Sequence, residues 1–166
     1  MSENTEIDNI PAHKSFAADL YNRAWELIDK GAERTEVENE EMLLSSYASA
    51  YHWHALEGAI DETRWKQSKP IAHDQLARVN MEIGNFKMAY YHGSRALYWC
   101  EKLGVSDLWL AFAYERLAVA CHHLGRVSER DEFLKKAISA SNEIAIEQDE
   151  NYFLSELQKA PGYAEM

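Results

Sequence analysis

The stretch YHWHALEG at residues 51–58 holds the most conspicuous candidates for chemistry, two histidines on either side of a tryptophan. On a helix each residue turns by about 100°, so His52 and His54 point about 200° apart. Two helical metal ligands need a spacing of three or four residues. The stretch is therefore not a metal motif by itself, and we expect each histidine at the edge of the core.

A metal site assembled from several helices is the alternative. It would combine His52, His73 and His122 with a carboxylate such as Glu115, and would make the chain a metal-dependent enzyme or a metal sensor. Other signatures of catalysis are missing: the sequence has no glycine-rich phosphate loop, nucleophile elbow or paired CxxC. The leading prediction is thus a protein with no catalytic residue, metal or cofactor.

The charge distribution bears on the partner. The 166 residues carry a net charge of −11. Residues 1–41 hold 11 acidic and 4 basic residues (net −7), residues 42–103 hold 6 and 7 (net +1), and residues 104–166 hold 11 and 6 (net −5). A phosphate backbone would be repelled by both ends of the chain, so nucleic acid is disfavoured as a partner.

Compartment is predicted from the cysteines and the apolar runs. Cys100 and Cys121 both fall in helical patterns without metal-ligand spacing, which is typical of reduced core thiols. The N-terminal residues MSENTEIDNI lack an apolar signal segment, and no apolar run approaches a membrane span. We therefore expect a cytoplasmic location and no membrane partner.

The periodicity of apolar residues is helical almost throughout and predicts an all-α fold of about seven helices. The third helix is expected to carry Pro70 in its first turn, and Ser106 or Asp107 is expected to cap the fifth. The domain prediction is a flexible acidic N-terminus at 1–11, one helical domain at 12–160 and a tail at 161–166. The predicted helices span 12–31, 37–59, 70–83, 86–103, 107–124, 126–146 and 149–158.

The second helix shows two apolar faces. One is a stripe made of Leu44, Ala48, Tyr51, Ala55 and Ala59. The other either packs between neighbouring helices or forms a surface for a partner or a second copy, which predicts a possible homodimer. The residues assigned to this self-association patch are Trp53, Leu56, Ile60 and Trp65.

An internal repeat appears when the sequence is shifted by 41 residues. Leu76-Ala77 then aligns with Leu117-Ala118, Gly84 with Gly125, and Ala96 with Ala137. Each copy contains a helix, a glycine turn and a second helix. The small residues allow close helix packing, and the glycine permits a left-handed turn.

The segment LARVNMEIGNFKMAYYHGSRAL resembles a tetratricopeptide repeat, and LAVACHHLGRVSERDEFLKKAI resembles it more weakly. Residues 70–146 carry the resemblance, although the repeat is longer than the family's usual length of about 34 and Arg130 replaces a preferred alanine. The family implies antiparallel hairpins stacked as a short right-handed array. The layout of Trp25-Glu26-Leu27 and Tyr51-His52-Trp53 is also similar to small bacterial repeat-like proteins without a characterised function.

The tetratricopeptide resemblance implies a module that binds another protein or a peptide on a concave face formed by the first helix of each repeat. Because this face has no cluster of lysine and asparagine, capture of a peptide's C-terminal carboxylate is not supported. A small acidic secretion-type chaperone is a further alternative. The residues expected on the concave face are Asp74, Arg78, Met81, Glu115, Val119 and His122.

Overall fold

The computed structural model describes residues 9–106 and 108–165. In this part of the chain there is no β-strand, so the predicted all-α class is confirmed. Asp107, one predicted helix cap, and residues 1–8 of the predicted acidic N-terminus lie outside the described residues. Two short 3₁₀ turns occupy Gly31–Glu33 and Tyr163–Glu165. The helices are α1 (Ile10–Asp29), α2 (Glu36–Ala55), α3 (Glu62–Glu82), α4 (Phe86–Leu103), α5 (Leu108–His123), α6 (Val127–Ser141) and α7 (Glu147–Leu157).

The helices pack as consecutive hairpins. Pairs α1/α2, α3/α4 and α5/α6 are joined by short connections, and each hairpin stacks on the next through α2/α3 and α4/α5. Contacts also link the odd-numbered helices, α1 to α3, α3 to α5 and α5 to α7. The odd-numbered helices therefore lie side by side.

Two glycine turns close the second and third hairpins with the same geometry. Gly84 has φ +75° and Gly125 has φ +73°, so the predicted positive φ at Gly84 is confirmed. In each turn the residue after the glycine donates its backbone N–H five residues back, Asn85 to Asn80 at 2.8 Å and Arg126 to Cys121 at 2.9 Å. These bonds satisfy helix-end carbonyls, and a left-handed residue is needed to form them.

The predicted start of the third helix was wrong. The helix begins at Glu62, eight residues before Pro70, because the Asp61 carboxylate accepts the backbone N–H groups of Thr63 at 3.0 Å and Arg64 at 3.2 Å. Pro70 lies inside α3 and is itself buried. The proline signal is ambiguous because its ring leaves φ helical while removing a single hydrogen bond.

The apolar stripe predicted on α2 lies largely on the surface. Leu44 is 65% exposed and Tyr51 is 64% exposed. The buried face instead contains Ser45, Ser46 and Ser49. Small serines let α1 approach α2 closely, and the Ser49 hydroxyl donates to the Ala17 carbonyl at 2.7 Å, so its burial is compensated.

Tight packing of small residues also joins α3, α4 and α5. Ala77 and Ala118 are completely buried. A Cβ added to Gly93 on α4 would lie 3.2 Å from Leu117 Cγ on α5. These positions hold the helix backbones close together, as the small residues of the two segments predict.

At the C-terminal end α7 packs onto α5. Phe153 and Leu157 are completely buried, and the Phe112 and Phe153 rings meet edge to face with centroids 5.0 Å apart. Tyr163 in the C-terminal segment packs against the same core. The apolar side of α7 therefore covers the end of the helical stack, as the sequence of this short helix favours.

Substitution of Ala77 by leucine tests the close packing. We expect Ala77→Leu to lower the free energy of unfolding by roughly 1–3 kcal/mol, because extra methyl groups would force α3 and its neighbours apart. Chemical denaturation measures this change. Ala12→Leu, at an exposed position on α1, is the matched control and should change stability little. Equal stability of both variants would contradict the packing described.

Candidate functional site

A groove of about 650 Å³ runs where α1, α3, α4, α5 and α7 come together. Helix α7 and the segment after it form one wall of the groove, and the groove is open to the solvent. Its apolar lining is formed by Trp25, Ile28, Met81, Phe86, Val119, Tyr152, Ala160 and Pro161, and its polar lining by Asp29, Arg78, Glu82, Glu115, His123, Glu156 and Lys159.

A chain of ion pairs crosses the groove from α3 to α7. The Arg78 guanidinium donates to Glu82 at 2.9 Å and to Glu156 at 3.2 Å. Glu156 also accepts from Lys159 at 2.5 Å. Burial raises the pKa of Glu156, but Lys159 and Arg78 outweigh that effect and leave it below its ordinary value. The lining carries four acidic and two basic side chains; Glu82, Glu115 and Glu156 are each paired with a cation, and Asp29 is the lining acid without an ion pair among the described residues.

Arg34 holds the other end of this network. Its guanidinium donates to the carbonyls of Leu27 at 3.0 Å and Ile28 at 2.9 Å, which are the last turn of α1, and to the Glu82 carboxylate at 2.7 Å. A cation at the carboxyl end of a helix satisfies free carbonyls and matches the helix dipole. Arg34 therefore fixes the end of α1 against α3 beside the groove.

A buried triad of charges, Asp74, Glu115 and Arg116, adjoins the groove, and Glu115 is the member that lines it. Arg116 is 1% exposed and donates to Asp74 at 3.0 Å and to Glu115 at 2.5 Å. Burial raises the pKa of Glu115, and the nearby Arg116 charge opposes that rise only in part. Asp74 and Glu115 are separated by the 41 residues of the repeat, so one guanidinium joins the same position of both hairpins.

The triad should be sensitive to the loss of its single cation. We expect Arg116→Met to lower the free energy of unfolding by about 3–5 kcal/mol, because two carboxylates would stay buried without a partner. Denaturant titration measures the effect. Arg126→Met, at an exposed guanidinium, is the control. Adding Asp74→Asn and Glu115→Gln should restore part of the loss, and no recovery would contradict an electrostatic origin.

A second cavity, here called the aromatic pocket, lies on the same side of the protein and encloses about 400 Å³. The Tyr21 and Trp25 rings, with centroids 6.3 Å apart, connect the aromatic pocket to the groove. Burial and the nearby Asp74 and Tyr152 groups raise the pKa of Tyr21 to about 12. The aromatic pocket is lined by Ala18, Tyr21, Asn22, Trp53, Arg64, Gln67, Ser68, Ile71 and Trp109.

The two histidines of YHWHALEG contact different parts of the fold. His52 Nδ1 lies 2.9 Å from His13 Nδ1 on α1, whereas His54 Nδ1 lies 3.1 Å from the Lys69 ammonium on α3. Lys69 is 5% exposed, and burial lowers its pKa. Each histidine thus takes part in a local polar contact between helices.

The histidines of the alternative metal site have separate neighbours. His52 pairs with His13, His73 with His92, and His122 lies 3.4 Å from an Arg130 nitrogen. Glu115 belongs to the buried triad. Within residues 9–106 and 108–165, no three or more His, Cys, Asp or Glu side chains are grouped so that they could hold a metal ion.

A polar network joins α2, α3 and α4. His92 is 5% exposed; its Nδ1 lies 3.1 Å from His73 Nδ1 and its Nε2 lies 3.0 Å from the Tyr47 hydroxyl. Burial lowers the pKa of His73 to about 3, with contributions from His92, Arg95 and Lys69, and lowers that of His92 to about 4. Both imidazoles are therefore neutral at neutral pH.

The histidine pair should make stability depend on pH. Since both folded pKa values are depressed, the unfolded chain binds more protons from about pH 6.5 down to the folded pKa values, about 4 for His92 and about 3 for His73, and stability falls as the pH falls through this range. Each histidine contributes a slope of at most about 1.4 kcal/mol per pH unit. Denaturation of the wild type and His92→Gln at several pH values should give a shallower slope for the variant, whereas parallel curves would contradict the assignment.

Four of the six residues predicted for a concave binding face line the groove, namely Arg78, Met81, Glu115 and Val119. Asp74 is 2% exposed and is bound to Arg116 in the buried triad that adjoins the groove. His122 is near Arg130 instead, and the adjacent His123 lines the groove, with its ring stacked on Phe86 at 3.9 Å. Their role in binding a ligand stays a prediction.

The residues of the predicted self-association patch do not share one surface. Leu56 is completely buried, so it belongs to no exposed patch. Trp53 lines the aromatic pocket, while Trp65 packs edge to face on Trp99 with centroids 6.2 Å apart. Ile60 is half-buried in the α2–α3 connection. The homodimer stays a prediction.

Several side chains of the two cavities were not predicted as site residues. They come from α1, from α7 and the segment after it, which lie outside residues 70–146, and from the first turn of α5. The aromatic residues in Trp25-Glu26-Leu27 and Tyr51-His52-Trp53 were the sequence signal that could have indicated these site residues. The missed residues are Tyr21, Trp25, Trp109, Tyr152, Glu156 and Lys159.

Comparison of the chain with protein-family models, with curated proteins and with solved structures found no match in any of the three. Among the helices of the described residues, none has the length and apolar character to cross a membrane.

Proposed function

We propose that the chain is a tetratricopeptide-like interaction module that binds an extended peptide segment of another protein in the groove. The observation that carries this proposal is one open groove lined by five helices, with aromatic and aliphatic surface and charged side chains along its lining. Peptide sites are concave and combine apolar surface with a few placed polar groups. The expected setting is the cytoplasm.

The charge of the groove favours a basic segment. Its acidic side chains Asp29, Glu82, Glu115 and Glu156 outnumber Arg78 and Lys159. A lysine or arginine of the ligand would pair with the exposed Asp29 carboxylate, one helical turn from Trp25, whose ring also attracts cations. The partner is therefore proposed to present a lysine or arginine within an extended stretch.

The groove is pre-organised for such a ligand. Arg34 pairs with Glu82 at 2.7 Å, and Arg78 bridges Glu82 and Glu156, so the charged side chains are already held in place. Side chains that are fixed before binding lose little conformational freedom when the ligand arrives. The interhelical ion pairs thus support recognition as well as stability.

Selection from a random library of displayed peptides on the immobilised full chain tests the proposal. We expect enriched peptides to share a lysine or arginine, and Met81→Arg to weaken their binding at least about tenfold, because a long cation would fill and neutralise the groove. Fluorescence anisotropy with the selected peptides, labelled and freely dissolved, measures the affinities.

The matched control is Ser139→Arg, which places the same side chain at an exposed position on α6 and should leave the affinity unchanged. Thermal melting establishes that both variants are folded. No enrichment, or equal binding by wild type and Met81→Arg, would argue against the groove as the binding site.

A further inference from the structure

We infer that the aromatic pocket anchors an aromatic side chain of the bound peptide, and that Arg64 at its rim binds the carboxylate of an adjacent acidic residue. The inference rests on the proposed function, since it names a second contact of the same ligand. It commits to a peptide with an aromatic residue next to Asp or Glu, followed after a short spacer by Lys or Arg.

The walls of the aromatic pocket match an aromatic ring. Tyr21, Trp53 and Trp109 come from α1, α2 and α5, and Ile71 on α3 adds aliphatic surface. All four side chains are half-buried, so they form a pocket with accessible walls. Aromatic rings prefer offset or edge contacts with one another, and three rings from different helices offer several such surfaces to a fourth ring.

The rim carries one charge and its sign is positive. Arg64 is exposed, and its guanidinium carbon lies 5.7 Å from the centre of the Trp53 ring. No acidic side chain is among the described residues that line this pocket. Among the described residues the Arg64 side chain forms no ion pair or hydrogen bond, so its N–H groups stay available for a carboxylate in a bidentate geometry.

Two exposed amides, Asn22 on α1 and Gln67 on α3, flank the pocket and offer donors and acceptors to the peptide backbone. The rim of the pocket offers the Arg64 guanidinium, whereas the groove offers the Asp29 carboxylate. This opposite polarity is the charge complementarity that favours an acidic residue at the pocket and a basic residue in the groove.

The spacing between the two cavities fits a short peptide. The residues lining them are centred about seven residues apart on α1 and about thirteen apart on α3. At a helical rise of about 1.5 Å per residue these offsets are roughly 10 and 19 Å, which an extended chain spans with about three to six residues. The adjacent Tyr21 and Trp25 rings link the cavities along this path.

The five tryptophans provide a direct test. Trp53 and Trp109 report on the pocket and Trp25 on the groove, whereas Trp65 and Trp99 pack on each other and line neither. In the ¹⁵N-labelled full chain we would follow the five indole N–H signals by NMR, assigned with Trp→Phe variants, during titration with acetyl-Phe-Glu-amide. The expected result is a shift of the Trp53 and Trp109 signals without a change at Trp65 and Trp99.

The charge is tested by reversal. Acetyl-Phe-Lys-amide should bind at least about tenfold more weakly than acetyl-Phe-Glu-amide, and Arg64→Glu should invert this preference. Because Arg64 is exposed, this variant is expected to fold; Arg126→Glu, at an exposed guanidinium in the turn between α5 and α6 and outside the pocket, is the control. An unchanged preference in Arg64→Glu would overturn the role of Arg64.

The remaining outcomes separate the two proposals. Peptides from the library that shift Trp25 but never Trp53 or Trp109 would overturn this inference and leave the groove proposal intact. Selected peptides that shift none of these three signals would contradict both. Binding of free 3-phenylpropionate as tight as that of the dipeptide probe would assign the pocket to a small aromatic acid and overturn the peptide assignment.

Discussion

The buried guanidinium of Arg116 is the interaction on which the arrangement of α3 and α5 depends. It binds Asp74 on α3 and Glu115 on α5, and all three side chains are almost completely buried. A charge in such a place is tolerated only with well-placed partners, so the two helices must keep the spacing that the triad sets. Arg78 and Val119 follow the two acids by one helical turn, and the same spacing therefore sets the width of the groove.

Two layers of charge with different roles result from this arrangement. The triad is dry and joins hairpins, whereas the chain from Arg34 through Glu82 and Arg78 to Glu156 is partly exposed and joins α1, α3 and α7 around the groove. Partly exposed pairs contribute little stability one by one. Their contribution is to hold the charged side chains in fixed positions around the groove, which lies next to the aromatic pocket.

Features that depend on neighbouring residues were predictable, and features that depend on contact between distant segments were not. The helical periodicity and the glycine turns follow from local rules, and both are found. The start of α3 was misplaced because Pro70 resembles a first-turn residue, while the capping by Asp61 decides the boundary. The apolar stripe of α2 was not expected to face outward. The buried face of α2 instead carries serines, which are polar but small enough to pack closely, and Ser46 and Ser49 satisfy their hydroxyls with internal hydrogen bonds.

The all-α class and the glycine turns follow from the sequence because helical periodicity and turn chemistry are local, and the resemblance to tetratricopeptide repeats pointed to four of the side chains in the groove. Tertiary structure alone decided that Trp25, Tyr152 and Glu156 complete the groove, and that Tyr21, Trp53 and Trp109 surround one pocket. Those residues lie on helices far apart in the chain, and the repeat pattern does not include α1 or α7. Their meeting is set by how the helices stack, which depends on the buried triad and on close contacts between small residues that no local pattern reports.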